Sequence, residues 1–204
     1  TLLPMLDEIV KMTELDLKTI DAIAVAKGPG SFTGLRIGSA TAKGLGLALD
    51  KPLVGIPTVE ALAYNLYDVN GLICPIMDAR RKQVYTGIYR YEDHRLVTVK
   101  DQMAVGIEEL LSMLNEMGES VTFLGDGVPV FKDIIADKLE VPFSFAPAHL
   151  SRQRAGAVGA LGVLYYKEGR TETAAEHKPD YLRVSQAERE RVQKLKKESE
   201  GENA

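Results

Sequence analysis

A glycine-rich segment, Gly28 to Gly38, holds the residue types best suited to binding chemistry. It reads GPGSFTGLRIG and separates an apolar run from a helical pattern, so its backbone N–H groups could face a phosphate or another anion. A P-loop requires Gly-Lys-Ser/Thr, but Leu35 and Arg36 follow Gly34. The dinucleotide pattern requires a third glycine where Thr33 stands. A tight strand-to-helix turn therefore remains an alternative to a ligand loop.

Two further turns carry polar residues directly after apolar runs. The segment Asp78-Ala79-Arg80-Arg81 could supply a carboxylate or an anion clamp, and an ordinary charged turn explains it equally well. The segment Gly125-Asp126-Gly127 is a turn or a ligand loop.

The cysteine and the histidines do not form a recognisable reactive or metal-binding pattern. Cys74 lies in an apolar run without a neighbouring histidine, which predicts a small buried side chain rather than a nucleophile. His94, His149 and His177 are isolated, and no His-x-x-x-His pair occurs. We therefore predict no metal, no cofactor and no catalytic residue.

The composition limits the classes of protein to which this chain can belong. Apolar residues make up 45% of the 204 residues, and no apolar run approaches the roughly 20 residues of a membrane-spanning helix. A single cysteine excludes an intrachain disulfide and predicts a cytoplasmic protein. The net charge is −4, and the charges of the tail from Glu188 cancel, so the body is acidic. Such a body is not typical of an independent nucleic-acid binder, since phosphate contacts need clustered Lys and Arg, so any RNA would be held indirectly, through a partner.

The apolar periodicity predicts alternating helices and strands. An opening helix over Leu2 to Val10, strands Asp21–Ala26 and Leu53–Ile56, and helices Thr33–Leu49 and Thr58–Tyr67 give a first half of type αβαβα. The second half is of type βββαβαβα, and its predicted elements are strands Leu72–Met77, Val84–Tyr91 and Leu96–Val99, helix Ile107–Met117, strand Val121–Leu124, helix Val130–Leu139, strand Phe143–Phe145 and helix Ala155–Lys167.

The two halves match if three strands precede residue 1, which predicts a duplicated βββαβαβα fold whose first three strands are missing from this chain. The expected division is a first subdomain over residues 1–70, a second over residues 71–187, and a charged tail over residues 188–204 that is disordered or a frayed helix.

The helix that follows the glycine-rich segment has a ridge of small residues. Gly34, Gly38, Ala42 and Gly46 recur every four residues. Its interior glycines should cost about 1 kcal/mol each relative to alanine. Close approach of another helix or of a sheet would offset that cost, and the spacing leaves open whether the neighbour lies in this chain or in a partner.

Several of these segments together resemble the TsaB family, also called YeaZ. The resemblance rests on GPGSFTGLRIG at Gly28 to Gly38, on Ala42-Lys43-Gly44-Leu45, on Asp78 to Arg81 with Val84-Tyr85, and on Pro179-Asp180-Tyr181-Leu182-Arg183 followed by Ala187-Glu188. It implies an actin-like, sugar-kinase-like (ASKHA) duplicated fold. It also implies a non-catalytic, cytoplasmic subunit that takes part in tRNA threonylcarbamoyladenosine (t6A) modification by binding and activating the related subunit TsaD, together with the ATPase TsaE.

From the resemblance and the helical pattern we expect a partner surface, usable for a heterodimer with TsaD or for a homodimer in isolation, at Leu2, Leu3, Met5, Leu6, Ile9, Gly34, Ile37, Gly38, Thr41, Ala42 and Leu45. The family-motif positions without an assigned role are Gly28, Gly30, Ser31, Thr33, Arg36, Asp78, Arg80, Arg81, Tyr181 and Arg183. The alternative functions are an actin-like nucleotide-binding kinase and a metallopeptidase of the M22 type.

Overall fold

Two sheets and six α-helices make up residues 2–183, the part of the chain that the computed structural model describes. The strands are β1 (Ile23–Gly28), β2 (Leu53–Pro57), β3 (Leu72–Asp78), β4 (Gln83–Glu92), β5 (Arg95–Gly106), β6 (Val121–Leu124) and β7 (Phe143–Phe145). The helices are α1 (Leu2–Met12), α2 (Phe32–Leu49), α3 (Thr58–Ala63), α4 (Ile107–Met117), α5 (Val128–Lys138) and α6 (Ala155–Lys167).

The first sheet consists of β1 and β2, which run parallel because α2 connects them. Helix α2 begins where Ser31 adopts an extended conformation and its Oγ accepts a hydrogen bond from the N–H of Gly34 at 3.4 Å. The helix ends at Asp50, whose φ of 53° is left-handed. The glycine-rich loop is therefore short and fixed at both ends, between β1 and α2.

The second sheet has the order β5-β4-β3-β6-β7. Strands β3, β4 and β5 are antiparallel neighbours, whereas β6 and β7 run parallel to β3. Helices α4 and α5 cover one face, where the buried core includes Leu72, Ile76, Phe123 and Ile135. Parallel strands place their carboxyl ends at one edge, which brings the turn after β3 near the loop after β6.

Helix α6 returns from the second half to the first sheet. Leu161 and Tyr165 pack with Val54 and Ile56 of β2, and a Cβ at Gly162 would lie 2.6 Å from the Cβ of Ala24. The division at residues 70 and 71 falls between the two sheets and remains our proposal for the subdomains.

The predicted order of elements is confirmed in both halves, and the ends of two elements differ from the predicted ones by more than two residues. Helix α3 ends at Ala63 rather than Tyr67, because the chain turns there before β3. Strand β5 extends to Gly106 rather than Val99, since pairing with β4 continues along its polar residues. The tail over residues 188–204 lies outside the described residues.

Among residues 2–183, no helix is both long enough and apolar enough to cross a lipid bilayer.

Candidate functional site

The glycine-rich loop is in contact with the segment Pro179–Arg183, which we call the C-terminal strap. Gly28 has a φ of +125°, and a Cβ there would collide with the carbonyl oxygen of Asp180. The N–H of Asp180 donates to the carbonyl oxygen of Lys27 at 2.6 Å. Only glycine suits this backbone conformation and this close approach, so the motif glycine has a structural role.

An aromatic stack joins the same two segments. The rings of Phe32 and Tyr181 lie 4.5 Å apart between centroids and 5° from parallel. The Arg36 guanidinium lies 6.0 Å from the centre of the Phe32 ring, within cation–π range. The stack places Arg36, an exposed residue of α2, beside the strap.

The strap also reaches the second sheet. The guanidinium of Arg183 donates to the carbonyl oxygen of Ala79, in the turn that follows β3. The side-chain amide of Gln102, on β5, donates to the Asp180 carboxylate at 2.5 Å. The strap therefore fastens the loop after β1 to β5 and to the turn after β3.

The turn after β3 has an unusual backbone. Arg80, Arg81 and Lys82, which we call the basic turn, have φ values of 65°, 55° and 57°. The Asp78 carboxylate accepts from the N–H of Arg80 at 2.8 Å and pairs with its guanidinium at 3.2 Å. All three basic residues are exposed.

The space between the glycine-rich loop and the strap is small. Its cavity volume is about 10 Å³, and Phe32, Leu35, Tyr85 and Tyr181 are among its lining residues. Pockets for small-molecule ligands run from roughly 300 to 1,000 Å³. The space between the glycine-rich loop and the strap is therefore too small to hold a small-molecule ligand.

The remaining motif positions serve the local backbone or are open to solvent. A Cβ on Gly30 would lie 3.6 Å from the Leu35 side chain, and Ser31 caps α2. Thr33 is exposed. The Gly125–Gly127 turn passes close to β3, where the N–H of Gly127 donates to the carbonyl oxygen of Ile76 at 3.0 Å.

Helix α1 exposes most of the apolar residues that were predicted to form a partner surface. Leu3, Met5 and Ile9 are 56%, 59% and 54% exposed, and Leu2 and Leu6 are half-buried. No residue of this helix is buried. An apolar helical face that its own chain leaves uncovered is typical of an interface.

Helix α2 divides its predicted surface between the core and solvent. Ile37 is 52% exposed, whereas Ala42 is only 5% exposed and offers almost no surface to a partner. A Cβ on Gly46 would lie 3.0 Å from Leu53, so this end of the small-residue ridge packs on β2. Gly34 is exposed, while the half-buried members of the predicted set are Gly38, Thr41 and Leu45.

Sequence reasoning missed the most exposed apolar residue of α2. Leu47 is 75% exposed and lies on one face with Ile37, Ala40 and Gly44, at intervals of three and four residues. The helical spacing of those positions could have identified this exposed face, which lies beside the small-residue ridge rather than along it.

A second feature that the sequence did not reveal is a cleft of about 840 Å³ among α3, α6 and the β4–β5 hairpin. Within it, the Tyr165 hydroxyl donates to the Glu60 carboxylate at 2.6 Å. The Arg170 guanidinium lies 3.2 Å from the centre of the Tyr165 ring. Burial raises the pKa of the Glu60 carboxyl, and the hydrogen bond from Tyr165 opposes that rise.

The cysteine is confirmed as part of the core. Cys74 is 0% exposed, and burial raises the pKa of its thiol to about 12. Of the histidines, His94 lies 2.8 Å from the Asp68 carboxylate and His177 lies 2.7 Å from the Glu172 carboxylate. Residues 2–183 contain no group of three His, Cys, Asp or Glu side chains arranged to hold a metal ion.

Comparison with known proteins relates almost the whole chain to one group. The family model described as TsaD, tRNA N6-adenosine threonylcarbamoyltransferase, matches residues 1–191. A protein of Bacillus subtilis named tRNA threonylcarbamoyladenosine biosynthesis protein TsaB is 36% identical over 95% of this chain and 83% of its own length. The Escherichia coli protein of the same name is 33% identical over 65% of this chain and 59% of its own length.

One relative that is named as the transferase itself matches over a shorter stretch. A tRNA N6-adenosine threonylcarbamoyltransferase of Protochlamydia amoebophila is 49% identical, but over only 31% of this chain and 18% of its own length. The match to the family model therefore reflects kinship between TsaB and TsaD, and the long alignments are to proteins named TsaB.

Solved structures agree on the fold. YeaZ from Pseudomonas aeruginosa superposes with a TM-score of 0.73 at 22% identity, over 89% of this chain and 82% of that chain. A second structure, of an uncharacterized protein with similarity to peptidase YeaZ from Pseudomonas aeruginosa, gives a TM-score of 0.74 at 23% identity over the same shares. With its actin-like ASKHA-type fold and its long alignment to TsaB of Bacillus subtilis, this chain belongs to the TsaB (YeaZ) family.

Proposed function

We propose that this chain takes part in t6A biosynthesis as the non-catalytic partner of a TsaD-type transferase. The observation that carries the proposal is the uncovered apolar surface of α1 and α2. Leu3, Met5 and Ile9 of α1, with Ile37 and Leu47 of α2, are each more than half exposed. We call these five residues the apolar helix face.

The kinship of the two families supports a TsaD-type subunit as the partner that binds this surface. A paralogue of the same fold has helices at equivalent positions, so two such pairs can pack side by side with their apolar residues at the centre. A surface that is apolar and mostly uncharged needs a partner surface of the same character, since charged residues are depleted at the cores of interfaces.

Three features support a non-catalytic role. The C-terminal strap fills the approach to the glycine-rich loop, with the Asp180 carbonyl against Gly28. The Asp78–Arg81 segment has alanine and two arginines where glycines would let a backbone approach a phosphate. The Cys74 thiol is buried and its pKa is raised to about 12, so it does not form a thiolate nucleophile near neutral pH.

The proposal extends to the other members of the complex. The ATPase TsaE would bind once the heterodimer has formed, and transfer RNA would be modified at the transferase site. The same apolar helix face would pair two copies of this chain when the transferase is not present, since the two partners compete for one surface.

Co-purification of tagged chain with a TsaD-type transferase tests the proposal. Ile9→Glu combined with Ile37→Glu places two carboxylates in the centre of the apolar helix face. The fold should survive because both residues are exposed, whereas affinity should fall by about 100-fold, because each charge would be desolvated without a partner.

The matched control is Val130→Glu, on α5, where an apolar residue is 56% exposed outside the proposed face. This variant should bind the transferase as the parent does. Equal binding by the double variant and the parent would place the interface elsewhere. A homodimer that persists in the double variant would show that two copies of this chain pair through a different surface from the apolar helix face.

A further inference from the structure

An unusual concentration of positive charge lies on this otherwise acidic chain. The net charge is −4, yet Arg80, Arg81 and Lys82 are consecutive and exposed. Among residues 2–183, Arg80 pairs with Asp78, while Arg81 and Lys82 form no salt bridge.

The Glu108 carboxylate, whose pKa the charge of Lys82 affects, is bonded to another cation. Glu108 accepts a hydrogen bond from the Lys138 ammonium at 2.7 Å, and this bond is the main reason that the pKa of Glu108 is lowered, with the charge of Lys82 a smaller cause. Within residues 2–183, the charges of Arg81 and Lys82 are therefore not neutralised by a salt bridge, whereas that of Arg80 is paired with Asp78.

The backbone holds these cations in a costly conformation. Three consecutive non-glycine residues have left-handed φ values between 55° and 65°, which side chains with a Cβ adopt rarely. Hydrogen bonds fix both ends of the turn, from the N–H of Gln83 to the Arg80 carbonyl at 3.1 Å and from the N–H of Ile107 to the Lys82 carbonyl at 3.0 Å. Strain that the surrounding structure maintains in this way is concentrated at functional sites.

The basic turn continues into a surface where cations alternate with aromatic rings. Arg183 donates to Ala79, directly before the turn, and two residues earlier Tyr181 stacks on Phe32. Tyr181 remains 39% exposed, and Arg36 lies on the Phe32 ring. The surface thus runs from the basic turn through Arg183 and Tyr181 to Arg36, and we call it the basic–aromatic strip.

The carboxylates within the strip are bonded to neighbours. Asp78 holds Arg80, and Asp180 accepts from the amide of Gln102. The strip nevertheless keeps a net positive charge, because it contains these two acidic residues and five basic ones, namely Arg36, Arg80, Arg81, Lys82 and Arg183.

We propose that the basic–aromatic strip binds a single-stranded segment of RNA. Arginine and lysine side chains contact phosphates, and an exposed aromatic ring offers a stacking surface for a base, so alternating cations and rings are the pattern of a single-strand site. An acidic protein surface would satisfy the cations but would leave the exposed tyrosine without a matching group. The inference rests on the proposed function, because transfer RNA is the substrate of the complex, and it gives this chain a direct contact where composition predicted an indirect one.

Fluorescence anisotropy with a labelled transfer RNA transcript and a labelled oligouridylate tests the strip, with the full chain alone and with the chain bound to its transferase partner. The variant is Arg81→Gln with Lys82→Gln. We expect RNA affinity to fall about tenfold, and the slope of log K against log salt to shrink by about 1.4, at ~0.7 per lost phosphate contact on a single strand.

The matched control is Lys18→Gln with Lys132→Gln, which removes the same two charges at exposed positions outside the strip. It should bind RNA within twofold of the parent. Equal affinities and equal salt slopes in the variant and the parent would overturn the proposal. Binding of polyglutamate without binding of RNA would also overturn it, and would identify an acidic protein as the ligand.

Ultraviolet cross-linking of the unmodified chain to the oligouridylate, followed by mass spectrometry, covers the case in which the variant does not fold. Cross-links at Tyr181 or Phe32 support the strip, and cross-links confined to other segments contradict it. Threonylcarbamoylation measured with the same variants separates the two proposals, because modification that requires this chain but tolerates Arg81→Gln with Lys82→Gln upholds the partner role and rejects the RNA contact.

Discussion

The ring of Phe32 lies flat on the ring of Tyr181, 4.5 Å away, so the loop that follows the first strand rests on the last residues that the structure describes. These residues belong to two motifs that the family resemblance left without a role. Their contact links the two halves of the chain. It therefore helps to fix the position of α2 relative to the turn after β3.

Replacing Gly28 by alanine should destabilise the protein by about 3 kcal/mol, because the new Cβ would meet the Asp180 carbonyl at a φ of +125°. Gly44→Ala is the matched control. No atom lies within 4 Å of a Cβ at that helical position, so it should stabilise the protein by about 0.5–1 kcal/mol. Urea unfolding measures both changes, and equal effects at the two sites would contradict the close contact.

Tyr181→Ala should cost about 1 kcal/mol beyond the apolar area that it exposes, because it removes the stack on Phe32. Tyr181→Phe keeps the ring and should leave the free energy of unfolding nearly unchanged. The double variant with Phe32→Ala measures the coupling in a mutant cycle. A coupling energy near zero would mean that the two rings are neighbours without a stabilising interaction.

Local patterns predicted the elements well, since apolar periodicity reports which face of a segment is buried. They failed for β5, where Lys100, Asp101 and Gln102 give no apolar alternation and the strand exists through its pairing with β4. The failure is physical, because a strand on a partly solvated sheet is specified by its neighbours as much as by its own residues.

The candidate site could be predicted only in part. The motif residues were identified from their order, but the bond between Arg183 and Ala79 joins residues separated by 104 positions. Spacing within a helix or a turn carries no information about such a contact. For the same reason the spacing on α2 left the neighbour of the small-residue ridge open and placed Ala42 in the partner surface, whereas Ala42 and Gly46 pack inside the chain.

Glu60 should make stability depend on pH. Burial raises the pKa of this carboxyl above its ordinary value of 4.5 in the folded state. Its contribution to stability is therefore complete below pH 4.5 and is lost as the pH rises through the raised pKa. Glu60→Gln removes that loss and can still accept from Tyr165, so the variant should gain stability relative to the parent as pH increases.

Glu176 provides a control of opposite sign. Hydrogen bonds from the backbone and side chain of Thr173 lower the pKa of this carboxyl, so its contribution is present above pH 4.5 and is lost as the pH falls. Glu176→Gln should therefore lose stability relative to the parent as pH increases. Thermal unfolding across a pH series measures both variants, and parallel curves for the two would contradict the assigned environments.

The Cys74 thiol should resist labelling in the native protein. It is 0% exposed with a pKa of about 12, so both access and ionisation are suppressed. A thiol reagent should react within its mixing time in denaturant and should react in buffer only at the rate of unfolding. Rapid stoichiometric labelling of the folded protein would show that the second sheet opens around β3.

Formation of t6A on an unmodified transfer RNA transcript, in a reaction reconstituted from purified components, tests the partner role most directly. With a TsaD-type transferase, the ATPase and the source of the threonylcarbamoyl group, we expect modification when this chain is present and background levels when it is left out. The Val130→Glu variant should restore the reaction, and Ile9→Glu with Ile37→Glu should not. Full modification without this chain, or modification by this chain without the transferase, would contradict the account.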